Sequence, residues 1–251
     1  MKARQPRGAP GGGQFAAISR PEANVHPQSL DVRPGGRVID EEVLHLLRSF
    51  APSGIGKHFY LAGGTALALQ IGHRRSDDLD YFVDAEQLDR RSIWRWAREA
   101  GLGKYEVVLN EAGQVDLAVG DRRRKVSLIA YPFPSSRPKV EIEGQLCADV
   151  LEIAAMKAYT VGRRGAARDY VDIEAAITRG GVRLDEIIAV AKSRFVLDGE
   201  PVFSERLFLQ QLVYTHDIED SGSLEVLGVP FADVERSLRS LVAEYLRRRL
   251  S

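Results

Sequence analysis

Apolar residues divide the chain into a first part with short apolar runs and a second part with helical spacing. In the first part, runs that end at glycine, proline or charged residues predict buried strands. They lie at 58–62, 79–83, 105–109, 115–119 and 125–131, with helices predicted near 39–47, 65–72 and 87–100. Helical spacing then predicts helices over 149–161, 168–179, 184–194, 204–214 and 231–249. Strands followed by helices indicate an α+β chain with a mixed-sheet core and a helical C-terminal part.

The same pattern suggests three regions. Residues 1–35 are rich in Gly, Pro, Arg and Gln and lack periodic spacing, so we predict a disordered N-terminal arm. We predict the sheet-containing core over residues 36–145 and a helical domain over 146–251. Within the core, residues 120–123 are expected to form a hairpin turn. Such a turn would place Val119 opposite Arg124 and Asp116 opposite Ser127.

Composition narrows the possible functions. The 251 residues include 35 Lys and Arg and 35 Asp and Glu, so a uniformly basic nucleic-acid coat is excluded, although a local basic groove stays open. Cys147 is the one cysteine of the sequence, which excludes an internal disulfide, and no Cys/His spacing indicates zinc. No apolar run approaches the ~20 residues of a membrane span. We therefore expect no membrane partner and a cytoplasmic location.

Two carboxylates stand where a predicted strand begins. Asp78 and Asp80 are separated by Leu79, and alternate residues of a strand point to the same face. Two neighbouring acids repel each other unless a cation lies between them. Oxygen ligands suit Mg²⁺ or Mn²⁺, so the pair is either a metal site for phosphoryl or nucleotidyl transfer or an ordinary solvated strand end.

A glycine pair precedes the first predicted helix of the core. Gly63 and Gly64 allow the backbone to approach a phosphate closely, and the following helix start offers free N–H groups. Thr65 adds a hydroxyl at the same place. Read alone, the pair is equally compatible with a simple turn.

Two further charged residues lie on predicted helices of the second part. Lys157 follows Ile153 by about one turn, within reach of an apolar stripe, and an ammonium there can act as a point charge on phosphate oxygens. Asp169 falls in a first helical turn, where acids commonly cap the helix. It is therefore either a cap or a functional acid.

Two stretches together resemble the AbiEii/AbiGii toxin family within the polymerase-beta-like nucleotidyltransferases. The first reads Gly-Gly-Thr-Ala-Leu from Gly63 and then His-Arg-Arg-Ser-Asp-Asp-Leu-Asp-Tyr-Phe from His73. The second reads Ala-Met-Lys from Ala155 and then Arg-Gly-Ala-Ala-Arg-Asp-Tyr-Val-Asp from Arg164. The resemblance covers roughly residues 40–180.

The resemblance implies a polymerase-beta-like nucleotidyltransferase core and assigns roles. It implies that Asp78 and Asp80 bind Mg²⁺ or Mn²⁺, and that a nucleoside triphosphate is the substrate. Asp169 would act as an acid/base or orient the substrate, whereas Arg168 and Asp172 would hold two helices together. The implied catalytic residues are Asp78, Asp80, Lys157 and Asp169, and the implied nucleotide-binding residues are Gly63, Gly64, Thr65, Arg74, Ser76 and Lys157.

The superfamily usually supplies a third acid from a neighbouring strand, and this chain departs from that pattern. The corresponding position is Ser127, which is a weak metal ligand. Because the predicted hairpin places Asp116 opposite Ser127, Asp116 is a candidate third metal ligand. The alternative is that Asp116 is an ordinary strand residue and two acids suffice.

The implied activity is transfer of a nucleoside monophosphate to an acceptor hydroxyl. The resemblance suggests RNA, particularly tRNA, as acceptor, and a toxin of a toxin–antitoxin or phage-defence system with a cognate antitoxin. Basic clusters at 122–125, 163–164 and 247–249 are candidate RNA contacts or solvated surface groups. The alternatives are transfer to a small molecule or protein, and a catalytically weak nucleotide-binding module.

Overall fold

The computed structural model describes residues 38–161, 163, 166–216, 218 and 230–250, and the predicted arm at 1–35 lies outside them. The sheet-containing part begins with two helices and then alternates strands with helices. Its elements are α1 (Glu41–Phe50), α2 (Gly54–His58), β1 (Tyr60–Ala62), α3 (Gly63–Ile71), β2 (Leu79–Asp84), α4 (Arg90–Glu99), β3 (Tyr105–Asn110), β4 (Gln114–Val119), β5 (Arg124–Tyr131), β6 (Val140–Ile142) and β7 (Gln145–Cys147).

The second part is mainly helical. Its elements are α5 (Val150–Val161), α6 (Ala167–Thr178), α7 (Leu184–Arg194), β8 (Val196–Leu197), β9 (Glu200–Pro201), α8 (Glu205–Val213) and α9 (Phe231–Leu250). The predicted α+β class, with a mixed sheet followed by helices, is confirmed. Helix α2 and strands β6 to β9 were not predicted, and the predicted division at residue 145 falls at the first residue of β7.

One seven-stranded mixed sheet organises the first part, in the order β3-β4-β5-β2-β1-β7-β6. Strand β2 is central: it pairs antiparallel with β1 and parallel with β5. Strands β4 and β5 form the expected hairpin, with Val119 opposite Arg124 and Asp116 opposite Ser127. The predicted register is therefore confirmed, and it fixes which side chains share a face with β2.

Local chemistry explains where several elements begin. The side chain of Asp40 accepts a hydrogen bond of 3.0 Å from the Val43 amide and starts α1. Asp89 accepts from the Arg91 and Ser92 amides, which begins α4 at Arg90 rather than at the predicted residue 87. Glycine at 72 ends α3 because it adopts a φ of +62° that favours glycine.

Two hydrophobic clusters stabilise the described residues. The first packs the sheet against α1 and α4 and includes residues of α5 and α7, such as Ile153 and Ala191. The second lies among the helices and includes Tyr170, Phe208 and Leu238. No helix in the described ranges has the length and apolar character that crossing a bilayer requires.

A buried ion pair ties the helical part to the sheet. Arg194 of α7 and Glu152 of α5 pair with both side chains fully buried. Arg194 also donates to the Tyr60 hydroxyl at 3.0 Å and to the Phe133 carbonyl at 3.2 Å. Glu152 accepts from the Ser136 amide at 3.0 Å. Because burying one of these charges alone would be costly, the pair holds α5 and α7 against the sheet.

We expect Arg194→Met to lower the free energy of unfolding by about 3–5 kcal/mol, because it leaves the buried Glu152 carboxylate without its main partner. Urea denaturation followed by circular dichroism measures the change. Arg95→Met is the control, since Arg95 forms an exposed pair with Glu99 and should change stability little. Equal unfolding midpoints for the two variants would contradict the structural role of Arg194.

Candidate active site

The glycine turn at the start of α3 lies directly against the Asp80 carboxylate. Gly63 has a φ of +70°, and an ideal Cβ at this position would come 2.6 Å from Asp80 Oδ2. The pairing of β1 with β2 sets Ala62 opposite Asp80, which brings the strand end and the helix start together. Glycine is required here both by the backbone and by the close carboxylate.

Hydrogen bonds hold the loop between α3 and β2 against the start of α3. The Thr65 hydroxyl shares a 2.8 Å hydrogen bond with the Ser76 hydroxyl and also donates to the Asp78 backbone carbonyl. Gly64 packs against Arg74 and Ser76, and a larger residue there would displace the Arg74 guanidinium. Thr65, predicted to bind nucleotide, therefore holds the acid-bearing loop in this structure.

Asp80, Ser127 and Asp116 form a row across β2, β5 and β4. Asp80 pairs with Ser127, and Ser127 pairs with Asp116. Asp116 accepts a 2.8 Å hydrogen bond from Gln114 Nε2 and lies 3.4 Å from Lys125 Nζ. The Ser127 hydroxyl is near enough to lower the pKa of Asp80, yet it makes no hydrogen bond of normal length within the described residues.

Part of this row fits a hard divalent cation. Asp78 directly precedes β2, and its charge contributes to the surroundings of Asp80. The buried Ser127 hydroxyl beside Asp80 is a neutral oxygen that suits a hydrated ion carrying its own water ligands. Among the described residues, however, no three His, Cys, Asp or Glu side chains are grouped to hold one ion. Asp116 thus lies in the predicted register opposite Ser127, but its carboxylate is not grouped with those of Asp78 and Asp80.

Electrostatics distinguish Asp80 from an ordinary carboxylate. Burial raises the pKa of Asp80 above its usual value, and the Asp78 charge raises it further. Lys157 and Lys125 oppose this effect. Burial and Asp78 together outweigh the two lysines, so the net pKa of Asp80 is raised. A bound divalent cation would stabilise its ionised form.

Asp172 of α6 contacts three basic side chains beside the site. Its carboxylate accepts two hydrogen bonds from Arg74, at 2.7 Å from Nε and 3.0 Å from Nη2. His73 Nε2 lies 2.7 Å from Asp172 Oδ1, and Lys157 Nζ lies 2.9 Å from Asp172 Oδ2. The predicted role of Asp172 in holding elements together thus extends to the loop that carries Asp78, whereas Arg168 is exposed.

Lys157 projects from α5 toward two acids of α6. Its Nζ lies 2.6 Å from Asp169 Oδ1 as well as close to Asp172. Burial lowers the pKa of Lys157, but the attraction of Asp172 and Asp169 outweighs it, so the net pKa is raised. Burial likewise opposes ionisation of Asp172, and Lys157, His73 and Arg74 bring its net pKa well below the usual value. Lys157 and Asp172 are therefore both charged at neutral pH, whereas burial lowers the pKa of His73 and favours its neutral form.

Two contributors were not predicted from the sequence. Arg124 of β5 lies 3.0 Å from Asp77 and also pairs with Asp40 and Glu42, so it fixes the residue before Asp78. Lys125 lies beside Asp116 on the face of the acid row. The run of basic residues at 122–125 was predicted to be either an RNA-contact surface or a solvated cluster, and spacing gave no signal for these pairings.

The fold of the described residues is similar to that of several solved structures. Solved structures with a similar fold include JHP933 from Helicobacter pylori, at 17% identity and a TM-score of 0.55 over 84% of this chain and 96% of that chain. Another is MenT4, a nucleotidyltransferase toxin from Mycobacterium tuberculosis, at 18% identity and a TM-score of 0.56 over 80% of each chain. At these identities the likeness shows the fold.

The family itself is shown by sequence. The model for the nucleotidyl transferase AbiEii toxin of type IV toxin–antitoxin systems matches residues 45–244. A protein of Aquifex aeolicus is 28% identical over 221 residues, which cover 84% of this chain and 98% of that protein. The chain belongs to the AbiEii nucleotidyltransferase toxin family and is a nucleotidyltransferase. The recognition made from the two stretches is confirmed.

We expect Asp80→Asn to melt at or above the wild-type temperature near pH 7.5 without divalent metal. The raised pKa of Asp80 means that its ionised form destabilises the fold above the ordinary pKa, and this penalty disappears as the pH falls below that value. Mg²⁺ should raise the wild-type melting temperature and have much less effect on the variant. Asp185→Asn, which changes an exposed acid on α7, is the control and should keep the Mg²⁺ response. Equal Mg²⁺ responses in wild type and Asp80→Asn would contradict metal binding by Asp80.

We expect Asp172→Asn to lower the free energy of unfolding by about 3–5 kcal/mol near neutral pH, because it leaves buried cations uncompensated. The depressed pKa of Asp172 stabilises the fold above the ordinary aspartate pKa, and this contribution is lost as the pH falls through the lower folded-state value. The gap between wild type and variant should therefore narrow below about pH 4. Urea titrations at several pH values test this, with the exposed Asp185→Asn as control. A gap that stays constant into strong acid would contradict the assignment.

Proposed function

We propose that the protein transfers a nucleoside monophosphate from a nucleoside triphosphate to an acceptor hydroxyl of RNA, with tRNA as the favoured acceptor. The transfer depends on Mg²⁺ or Mn²⁺. The protein acts in the cytoplasm as the toxin of a type IV toxin–antitoxin or abortive-infection system, opposed by a cognate antitoxin. Its family membership supports the toxin role.

The observation that carries the proposal is the convergence of three elements on Asp80. Gly63 at the start of α3 touches the Asp80 carboxylate, and Asp78 precedes it on the same strand end. Lys157 of α5 acts on Asp80 electrostatically and contacts Asp169. Acids, a helix start and a lysine are the groups that bind a metal–triphosphate complex.

Each residue then has a role in the transfer. Asp78 and Asp80 would hold the cation, which when bound supplies positive charge for the phosphates. The first amides of α3, at Gly63 and Gly64, face the phosphate, and Lys157 neutralises a second phosphate oxygen. This requires Lys157 to exchange part of its contact with Asp169 for the triphosphate.

The exchange leaves Asp169 able to accept a proton. The acceptor hydroxyl oxygen forms a bond to the α-phosphorus as the bond to the β-phosphate oxygen breaks, and pyrophosphate leaves. The hydroxyl proton passes to Asp169, which acts as general base. Asp172 keeps Lys157 and Arg74 in place throughout.

An RNA acceptor is supported by exposed basic groups near the site. Arg122 and Arg123 lie in the hairpin loop of the sheet that carries the acid row, and both side chains are more than half exposed. Lys125, half exposed, lies between that loop and Asp116. Cations beside the acid row can contact the phosphates of an incoming RNA strand.

The proposal predicts that radiolabelled triphosphate and total RNA give labelled RNA and pyrophosphate only when Mg²⁺ or Mn²⁺ is present. Asp78→Ala, Asp80→Ala and Lys157→Ala should each reduce labelling at least a hundredfold, because each removes a group that contacts the metal or phosphate. Asp185→Ala, which removes an exposed acid on α7, is the matched control, with its circular dichroism checked. Sizing the labelled RNA tests the tRNA assignment.

Different outcomes separate the acceptors. Labelled protein or small molecule with unlabelled RNA would replace the RNA assignment while leaving nucleotidyl transfer intact. Pyrophosphate release that is equal in wild type and Asp80→Ala would contradict the proposed catalytic site.

A further inference from the structure

A second row of side chains runs parallel to the acid row on the same face of the sheet. Moving two residues along each strand leads from Asp80 to Phe82, from Ser127 to Ile129 and from Asp116 to Gln114. The register confirms the row, since Phe82 pairs with Ile129 and Ile129 pairs with Gln114. At about 3.3 Å per residue, this row lies about 7 Å from the acids.

The second row presents apolar surface to the space beside the acids. Phe82 and Ile129 are partly exposed, although neighbouring residues on the opposite face are buried. Tyr131, two residues after Ile129, is also partly exposed, and its ring packs edge-to-face on Phe82 at 5.4 Å. Other sides of these two rings pack against the core, Phe82 on Tyr60 and Tyr131 on Phe133 and Phe195. Ring and aliphatic surface next to charged groups is suited to a flat, apolar ligand that carries phosphate.

Gln114 adds a polar end with a defined orientation. Its Nε2 donates a hydrogen bond of 2.8 Å to Asp116 Oδ1. The amino group is therefore directed to Asp116, and the amide oxygen Oε1 is at the opposite end. That oxygen is an acceptor for an N–H group on a ligand lying over Ile129.

We propose that Phe82, Ile129, Tyr131 and Gln114 form a band that binds a nucleobase, with Gln114 selecting among bases. The inference rests on the proposed nucleotide transfer, which sets a phosphate at the acid row. A ribose then carries the base from that phosphate across one row of the sheet to the band. The base belongs either to the triphosphate or to the terminal nucleotide of the acceptor RNA, and the chemistry of recognition is the same.

Equilibrium binding tests the band independently of turnover. Calorimetry in Mg²⁺ measures the affinities of four α,β-methylene nucleoside triphosphates and of four short RNAs that differ in the 3′-terminal base. Phe82→Ala should weaken binding in one ligand series by about fivefold or more, because a stacking surface is lost. Phe82→Leu keeps most of the apolar volume and so is less disposed to misfold. It should lose less affinity than Phe82→Ala.

Gln114→Leu should change the affinity ratio among the four bases by about two- to tenfold, the effect of one neutral hydrogen bond. If Gln114 acted only through Asp116, all four affinities would change equally, and base selection would be overturned. Gln210→Leu and Phe231→Leu are matched controls on α8 and α9. Affected triphosphate binding assigns the base to the donor, and affected RNA binding assigns it to the acceptor.

Unchanged affinities in both ligand series for the Phe82 and Gln114 variants would overturn the proposal. This result is distinct from failure of the proposed function, which appears as absence of pyrophosphate release by the wild-type protein. Binding affinities of the variants can still be compared in that case, because the analogues are not turned over.

Discussion

The buried carboxylate of Asp172 is the constraint on which the site depends. A charge removed from water requires partners, and Asp172 finds them on two separate parts of the chain: His73 and Arg74 in the loop after α3, and Lys157 on α5. The same loop runs into Asp78 and Asp80. Asp172 binds both this loop and Lys157 of α5. If α5 moved away from strand β2, at least one buried charge would therefore lose its partner or become exposed to water. The helical part is thus positioned by an electrostatic requirement as well as by apolar packing.

The carboxylates of Asp80, which is partly buried, and Asp172, which is fully buried, illustrate how the surroundings of an acid decide its role. Burial opposes ionisation of both Asp80 and Asp172, but the net shifts in pKa are opposite. Asp172 has cationic partners in direct contact, so its charge is satisfied within the protein. The negative charge of neighbouring Asp78 raises the pKa of Asp80, and the opposing cations Lys157 and Lys125 act on it only through longer-range electrostatics. The first carboxylate is suited to holding structure, and the second is suited to receiving an external cation.

Much of the architecture was predictable because apolar periodicity and turn chemistry act locally. The β4–β5 register followed from counting outward from the turn at Gly120, and it placed Asp116 correctly opposite Ser127. The short hairpin β8–β9 was missed although Asp198-Gly199, both at positive φ, is a recognisable turn signal. The contact of Arg74 with Asp172 spans 98 residues, and no local pattern encodes such a partner. The glycines and acids were predictable as a motif, but the polar network that supports them depends on the tertiary fold.

The position of Asp116 bears on whether it can replace the acid that the superfamily usually carries at the position of Ser127. Neighbouring strands lie about 4.8 Å apart, so an acid at position 127 would stand one strand from Asp80, whereas Asp116 stands two strands away, about 10 Å. That separation agrees with the lack of a three-carboxylate group in the described residues. It also explains why Asp116 is engaged by Gln114 and Lys125 rather than directed to Asp80. For Asp116 to bind the same ion as Asp80, a bridging water or a movement of β4 is required. The role of third ligand therefore stays a prediction.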